Sequence, residues 1–224
     1  MGHQNHASGL RRSITNNWSS KWSTAINNKK QYQFLLDQDL VIKNFIKSFC
    51  STHQINLGSF FIKRTQNNCF IFLAVNFDLD HKSKANQLTK DLFSKKLKKH
   101  LEQFTENKVH IFISSINNIL YSAELLSNHI VDHLVNKRNY SFIFQNILRN
   151  LNINKGSQNL QNAIKGIKIH LSGRLNGVDR ARTVKFNWGS LPLNTLKTRI
   201  EYAKNTAYTK YGTFGVKVWI AFKK

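Results

Sequence analysis

The sequence predicts an α+β protein made of an N-terminal arm, an α/β domain and a C-terminal domain that combines helices with a four-stranded sheet. Three observations lead to this class. Hydrophobic residues make up 41% of the 224 residues, enough to bury a core. Apolar stripes at helical spacing occur beside runs that alternate apolar and polar residues. Six of the ten glycines lie between Gly166 and Gly215, where turns separate short alternating runs.

Residues 1–33 are predicted to form a basic extended arm. The first 36 residues carry five cations and no acid, and they lack the apolar core of a signal peptide. Trp18 and Trp22 lie in this polar segment and need a surface to pack on. Packing against the body of the protein is favoured over stacking on nucleic-acid bases.

Residues 34–116 are predicted to form one α/β domain with the order helix, strand, strand, helix, strand. The helices are predicted from apolar residues at helical spacing, and the first two strands from β-forming residues around a three-residue turn. The predicted elements are helix Phe34–Cys50, strands Ile55–Arg64 and Asn68–Asn76, helix Lys84–Phe104 and strand Lys108–Ser115.

Residues 117–224 are predicted to form the C-terminal domain. Two apolar stripes at helical spacing, in Ala123–Leu134 and Phe144–Leu151, predict helices. Four later segments alternate with period two, which places one set of side chains in the core and the other set, mostly cationic or aromatic, outside. These segments are Ile167–Leu171, Val184–Trp188, Thr198–Tyr202 and Val216–Ile220.

The charge balance predicts a polyanionic partner. Lys and Arg number 34 against 11 Asp and Glu, a formal net charge of +23, and residues 165–224 carry 13 cations against two acids. Such a charge costs the compact state self-repulsion unless a partner neutralises it. Nucleic acid is favoured over an anionic membrane surface as that partner. No apolar stretch approaches the roughly 18 residues that a spanning helix needs.

The sequence offers no catalytic constellation. The acids are few and dispersed, no serine or cysteine has a base at a recognisable spacing, and no phosphate-binding glycine loop is present. Cys50 and Cys69 are predicted to be core or bystander residues, because neither has a second cysteine at metal-ligand spacing. We therefore predict a protein that is not an enzyme, with no catalytic residue, metal site, cofactor or small-molecule substrate.

Motifs at both ends of the chain resemble the ribosomal protein S-three family of the small ribosomal subunit. The C-terminal match covers Gly166–Arg182, Leu191-Pro192-Leu193 with Thr195-Leu196, and Tyr211–Ile220; the N-terminal match covers Met1-Gly2, His6, Gly9, Trp18 and Trp22. The resemblance implies an RNA-binding protein in the head of the subunit, close to the entrance of the mRNA channel. It implies small-subunit rRNA, mRNA and the S-ten and S-fourteen proteins as partners.

The resemblance also implies a type II KH fold for residues 34–116, from which the sequence departs at the nucleic-acid-binding loop. KH domains hold the backbone with a Gly-x-x-Gly loop. Here Asp78–Ser83 occupies that place and contains no glycine, so the sequence predicts the fold without its usual grip. In the helical stretch Ser141, Phe142 and Gln145 stand where the family has a basic cluster, with Lys137 and Arg138 one turn earlier.

The predicted RNA-binding residues are basic side chains and turn glycines. Arginine can hold two phosphate oxygens in parallel hydrogen bonds. Gly173 and Gly177 either admit the RNA backbone or form tight turns. Tyr208, Tyr211 and Trp219 could stack on bases, although packing is favoured. The full predicted set is His3, His6, Arg11, Arg12, Lys21, Lys137, Arg138, Gly173, Arg174, Gly177, Arg180, Arg182, Arg199 and Lys217.

The function expected from the sequence is that of a structural rRNA-binding constituent of an organellar small subunit. The alternative is a stand-alone organellar RNA-binding or RNA-processing factor. The chain is rich in Asn, Lys, Ile and Phe and has a single proline, a bias typical of AT-rich coding. This bias, and a family-like start at Met1 without a presequence, predict an organelle-encoded protein of the mitochondrial matrix, in the mitoribosome, with a plastid as the alternative.

Overall fold

The structure is a computed structural model that describes residues 5–24, 28–53, 55–65, 67–76, 85–105, 107–116, 118–153 and 164–223. These residues divide into two compact units. The C-terminal unit combines the chain up to Asn17 with the chain from Leu120 onward, and the middle unit is Trp18–Ile119. The division differs from the boundaries expected from the sequence, because residues 1–33 are not one separate arm.

The helices and strands follow in this order along the chain: α1 Ala7–Leu10, β1 Ser20–Lys21, α2 Lys29–Thr52, β2 Asn56–Arg64, β3 Asn68–Asn76, α3 Ala85–Phe104, β4 Lys108–Ser115, α4 Ala123–Val135, α5 Tyr140–Ile153, β5 Ile164–Gly173, β6 Arg182–Gly189, β7 Ile200–Thr209 and β8 Gly212–Phe222. Single turns of 3₁₀-helix lie at Ile119–Tyr121 and Leu175–Gly177. The predicted α+β class is confirmed.

The middle unit is a four-stranded sheet in the order β1-β2-β3-β4, with helices α2 and α3 packed in its core. Strands β2 and β3 are antiparallel, whereas β3 and β4 are parallel. Ile42, Ile46 and Cys50 recur every four residues on α2, so they lie on one face and are buried. Leu97 and Leu101 do the same on α3. The predicted order helix, strand, strand, helix, strand is confirmed.

Asp39 is a buried charge that ties three segments of the middle unit together. Arg64 on β2 donates from Nε to Asp39 Oδ1 at 2.8 Å, and its Nη2 lies 2.6 Å from the same oxygen. Trp22 Nε1 donates to Asp39 Oδ2 at 2.8 Å. Trp22 therefore packs on the body of the protein, as favoured from the sequence, and Asp39 fixes α2 against β2 and the segment after β1.

The C-terminal unit is an antiparallel sheet in the order β6-β5-β8-β7, with α4 packed on one face. The predicted alternation places Ile169 and Val218 in the core, and both are fully buried. Residues directly opposite each other on these strands share a face, so the register also places Lys168 and Lys217 on the face away from α4. We call this second face the open face.

The alternation predicted for Thr198–Tyr202 correctly places Ile200 in the core, but Ile200 is buried on the face away from α4. Strand β7 begins at Ile200, and Glu201 points toward α4, where its carboxylate accepts from the Ala123 amide at 3.5 Å. Ile200 and Tyr202 lie on the opposite face, where Ile200 packs in a small cluster with Ala7, Trp219 and Ala221. The cluster exists because the N-terminal segment covers this end of the open face.

Arg11 holds the N-terminal segment against the C-terminal sheet. The residue is 1% exposed, and its guanidinium donates to the backbone carbonyls of Thr198 (3.1 Å), Leu193 (2.6 Å) and Thr195 (3.0 Å), with a further bond to Ala7 O at 3.0 Å. Nearby, the Tyr202 amide donates to Ser8 Oγ at 3.0 Å, and Asn16 Nδ2 donates to Ile200 O at 2.8 Å. One buried cation thus organises the loop before β7.

We predict that Asp39→Ala destabilises the middle unit by about 3–5 kcal/mol, because the Arg64 charge would stay buried without its carboxylate. Hydrogen exchange of the α2 and β2 amides, followed by mass spectrometry, measures this loss locally. Lys98→Ala is the control, since it breaks only an exposed pair with Glu102 at 3.6 Å and should cost less than about 1 kcal/mol. Equal losses in the two variants would contradict the assignment.

We predict that Arg11→Lys is nearly as damaging as Arg11→Ala, each costing roughly 3 kcal/mol of stability in the C-terminal unit. The lysine ammonium is a point donor and cannot reproduce the planar fork that reaches several carbonyls at once. Exchange of the Tyr202 amide and of the amides in residues 5–17 reports the loss. Lys197→Ala, an exposed change on the same loop, should leave exchange unchanged. Full rescue by Arg11→Lys would refute a fork-dependent role.

Candidate nucleic-acid interface

Six cations gather at one edge of the C-terminal sheet. Strands β5 and β7 end there, and β6 and β8 begin there. The connection between α4 and α5 lies beside the same edge. All six side chains are exposed. We call this set the basic end: Lys137, Arg138, Arg174, Arg180, Arg182 and Lys210.

The last turn of α4 fixes Lys137 and Arg138 in a strained but defined geometry. The Lys137 amide donates to Leu134 O at 3.1 Å, and the Arg138 amide donates to His133 O at 3.0 Å. This pair of bonds is the Schellman ending of a helix, in which the residue at the position of Lys137 is usually glycine. Lys137 takes a φ of 57°, a conformation that L side chains disfavour. The backbone thus presents two cations in succession at the end of the helix.

The β5–β6 connection supplies Arg174 on a tight turn. Arg174 Nε donates to Val178 O at 3.0 Å, and its Nη2 lies 3.6 Å from the exposed Asp179 carboxylate. Gly177 has a φ of 76°, which the turn requires. A Cβ on Gly173 would lie 2.4 Å from the Phe214 ring. Of the two roles open to these glycines, the turn and close packing within the protein account for both positions.

Three cations of the basic end lie over aromatic rings. The Arg182 guanidinium carbon is 5.6 Å from the Tyr140 ring centroid, and that of Arg138 is 5.4 Å from the Phe142 ring. Lys210 Nζ lies 4.9 Å from the Tyr211 ring. Stacking on a ring orients a guanidinium while leaving the N–H groups at its edge able to donate to phosphate.

A cleft of about 490 Å³ opens between the end of α4 and the β7–β8 turn. It is lined by Lys137, Arg138, Gly177 and Lys210, which bring together three separate segments of the chain. Tyr208 and Tyr211 also line the cleft and are 74% and 42% exposed. Packing was favoured for both tyrosines from the sequence, and their exposure differs from that expectation. Trp219, by contrast, is 7% exposed and packed, as favoured.

Two neutral histidines lie close to the basic end on α4. Burial, with smaller contributions from the charges of His133 and Arg138, lowers the pKa of His129 to about 4. Burial and the Arg138 charge also lower the pKa of His133. The two Nε2 atoms are 3.0 Å apart. Both rings are therefore uncharged near neutral pH, and the positive charge here comes from lysine and arginine.

The structure brings together about half of the residues predicted to bind RNA. Lys137, Arg138, Gly173, Arg174, Gly177, Arg180 and Arg182 all belong to the basic end or its turns. Lys210 was missed from the sequence, although it sits in the Lys210-Tyr211-Gly212 turn between two predicted strands. A basic residue beside a glycine turn was the available signal.

The remaining predicted residues lie elsewhere. Arg11 is the main correction, because it is buried on backbone carbonyls and does not line a surface groove. His6 is exposed, accepts from the Gly9 amide at 3.0 Å and touches the Tyr202 ring, while Arg12 donates to Asn17 O. His3 lies outside the described residues, and Lys21 is exposed on β1 of the middle unit.

Arg199 and Lys217 also lie apart from the basic end. Arg199 was expected within a strand, because it lies in the alternating segment Thr198–Tyr202, but β7 begins only at Ile200. The Arg199 Nη2 lies 2.9 Å from Glu201 Oε1, and its guanidinium lies over the Phe222 ring. Lys217 is on the open face. The part of the chain that the structure describes contains no group of three or more His, Cys, Asp or Glu side chains able to hold a metal ion. Within those same residues, no helix has the length and apolar character needed to cross a membrane.

Comparison with known proteins agrees with the geometry of the C-terminal unit. Residues 148–220, which contain most of the basic end, match the family model described as ribosomal protein S3, C-terminal domain. The family likeness extends well beyond this match. Small ribosomal subunit protein uS3 of Phytoplasma mali is 36% identical over 98% of this chain and 84% of its own length.

Two further relatives show likeness of the same extent. The uS3 proteins of Staphylococcus epidermidis and Nitrosomonas eutropha are 31% and 30% identical. Each alignment covers 98% of this chain, and 93% and 94% of the respective relative. Since such identity is sustained across both units, the chain belongs to the family of small ribosomal subunit protein uS3.

Proposed function

We propose that this chain is a structural, non-enzymatic constituent of the small ribosomal subunit, which supports translation by binding small-subunit rRNA through the basic end. One observation carries the proposal. A chain that is similar to uS3 proteins over 98% of its length concentrates cations and exposed aromatic rings at one edge of its C-terminal sheet. A phosphate backbone is the polyanion that such a set of side chains fits.

The contacts at the basic end position RNA and do not read its sequence. Arg174 and Arg182 present planar N–H groups to phosphate oxygens, and Lys137 adds a point charge. Tyr208 and Tyr211 are exposed enough to stack on unpaired bases, which is tolerant of sequence. Binding of this kind weakens steeply as salt rises, because each phosphate contact releases counterions.

The proposal extends to the position in the subunit, which rests on the resemblance to the S-three family. The chain lies in the head near the entrance of the mRNA channel, beside the S-ten and S-fourteen proteins and close to mRNA. The middle unit acts as a type II KH domain, an assignment that its element order supports. Asp78–Ser83, where the KH loop is expected, lies outside the described residues, so the basic end carries the argument for RNA contact.

We propose a mitochondrial location, in the small subunit of the mitoribosome. The support is compositional: the chain is rich in Asn, Lys, Ile and Phe, with 16 phenylalanines and one proline. We expect peptides of this chain in small subunits purified from isolated mitochondria. Small subunits purified from plastids of the same cells are the comparison. Recovery from plastid subunits, or from the ribosomes of a bacterium, would refute the location while leaving the ribosomal role intact.

We predict that Arg174→Glu/Arg182→Glu reduces incorporation into the small subunit at least about fivefold when the variant competes with the native protein, because phosphate contacts become repulsions. Sedimentation of the tagged full-length chain through a sucrose gradient measures incorporation. Lys197→Glu/Lys223→Glu makes the same charge change on exposed residues of the same unit and should incorporate normally. Circular dichroism checks that both variants fold.

Two outcomes would contradict this function. Normal incorporation of Arg174→Glu/Arg182→Glu would show that the basic end is not the rRNA contact. If the native chain sediments free of ribosomes after gentle lysis at moderate salt and crosslinks to many mRNAs, the chain is a stand-alone RNA-binding factor.

A further inference from the structure

A row of four basic side chains crosses the open face of the C-terminal sheet. His170 on β5 is directly opposite Lys185 on β6 and Lys217 on β8, and Lys217 is directly opposite Lys204 on β7. The row therefore has one basic residue on each strand, in the order Lys185, His170, Lys217, Lys204. We call it the lysine row. Lys185 and Lys204 are exposed, and Lys217 and His170 are half-buried.

The lysine row is unfavourable for the isolated protein. Like charges directly opposite on neighbouring strands repel each other. Among the residues that the structure describes, no acid lies within ion-pair distance of Lys185, Lys204 or Lys217. Burial, together with the charges of Lys168, Lys185 and Lys217, lowers the pKa of His170. The sheet thus carries three lysines in one row that no acid among the described residues neutralises.

The rows on either side of the lysine row differ in size. One side carries Thr183, Ser172, Gly215 and Thr206, which are small and include one residue without a side chain. The other side carries Asn187, Lys168, Trp219 and Tyr202. The rings of Trp219 and Tyr202 are 5.1 Å apart and form an aromatic wall over half of this side, where His6 of the N-terminal segment meets Tyr202 at 4.7 Å. Lys168 adds a further cation, with its Nζ 5.9 Å from the Trp219 ring centroid. A ligand on the row therefore has a shallow, hydroxyl-lined floor on one side and an aromatic wall on the other.

We propose that the lysine row binds one strand of RNA phosphate backbone, which crosses the sheet at right angles to the β-strands. Adjacent strands lie about 4.8 Å apart, so the row spans about 14 Å. That length is enough for a short run of successive phosphates along one strand. The strand runs between the aromatic wall and the small row, whose hydroxyl groups can bond to ribose 2′-hydroxyls.

The chemistry of the row favours RNA over an acidic protein. Protein interfaces have a desolvated core rich in aromatic and apolar contacts. Here the aromatic residues beside the row are already packed: Trp219 is 7% exposed, and Tyr202 is half-buried. What remains accessible is charge and hydroxyl, which suits a phosphate–ribose backbone. The ligand class rests on the proposed function, but the surface is separate from the basic end.

The test measures binding of the full-length chain to a 15-nucleotide oligouridylate over a range of salt concentrations. We expect Lys204→Gln/Lys217→Gln to weaken binding roughly 25-fold at 0.1 M salt and to lower the salt slope by about 1.4, as expected for two lost phosphate contacts on a single strand. The melting temperature should stay the same or rise, because like charges are removed. Lys197→Gln/Lys223→Gln is the control with the same charge change, and its affinity and slope should match the native chain.

Lysine acetylation of the native small subunit supplies a second measurement. Lys185, Lys204 and Lys217 should be protected from the reagent, with protection retained after neighbouring proteins are stripped from the rRNA. One result would refute RNA binding by the lysine row but not by the basic end. In that result, Lys204→Gln/Lys217→Gln has the affinity and salt slope of the native chain, while Arg174→Glu/Arg182→Glu binds oligouridylate more weakly. If these lysines become reactive once the neighbouring proteins are removed, the partner of the lysine row is an acidic protein and the proposal is refuted. Absence of oligouridylate binding by the native chain would overturn the proposed function as well.

Discussion

The buried guanidinium of Arg11 is the interaction on which the C-terminal unit depends. Its N–H groups satisfy carbonyls in the loop before β7, a loop that follows Arg11 by about 180 residues in the chain and otherwise has little regular structure. Burial of a charge is costly unless it is well paired, and several carbonyl oxygens supply that pairing. Arg11 closes this loop, so the N-terminal segment can cover Ile200 and Trp219. This cover allows Ile200 to be buried on the open face of the sheet. The C-terminal unit is thus made of the residues up to Asn17 and those from Leu120 onward, and Trp18–Ile119 form the middle unit between them in sequence.

In the middle unit, a buried negative charge holds a segment in place, as the buried positive charge of Arg11 does in the C-terminal unit. There a buried carboxylate, Asp39, accepts hydrogen bonds from Arg64 of β2 and from the indole of Trp22, which follows β1. Both units therefore use a single buried charge to fix a segment that has too few apolar residues to hold itself in place.

Regular elements could be read from the sequence wherever the apolar pattern is set by neighbours close in sequence. Strand β4 was predicted at its observed bounds, because its alternation depends only on its own pleat. The burial of Ile200 was expected, but the sequence did not show that it is buried on the open face, because some of the atoms that bury it belong to the N-terminal segment. Arg11 was predicted as a surface cation for the same reason: its partners are backbone carbonyls, which leave no trace in sequence spacing. The exposure of Tyr208 and Tyr211 likewise depends on a cleft made from three distant segments.

Several of the clustered cations lie at positions where they destabilise the local structure. Lys137 takes a left-handed conformation that glycine would adopt without strain, although glycines are used at other turns of the same unit. The lysine row places like charges opposite one another, although a threonine on any of these strands would pack without repulsion. Burial, with a smaller contribution from the charge of Arg138, lowers the pKa of the two adjacent histidines. If these segments had only a structural role, glycine at position 137 or threonine in the lysine row would make the fold more stable. Cations that repel one another locally are best accounted for by an anionic ligand that offsets the repulsion, and a phosphate backbone is the ligand that we propose.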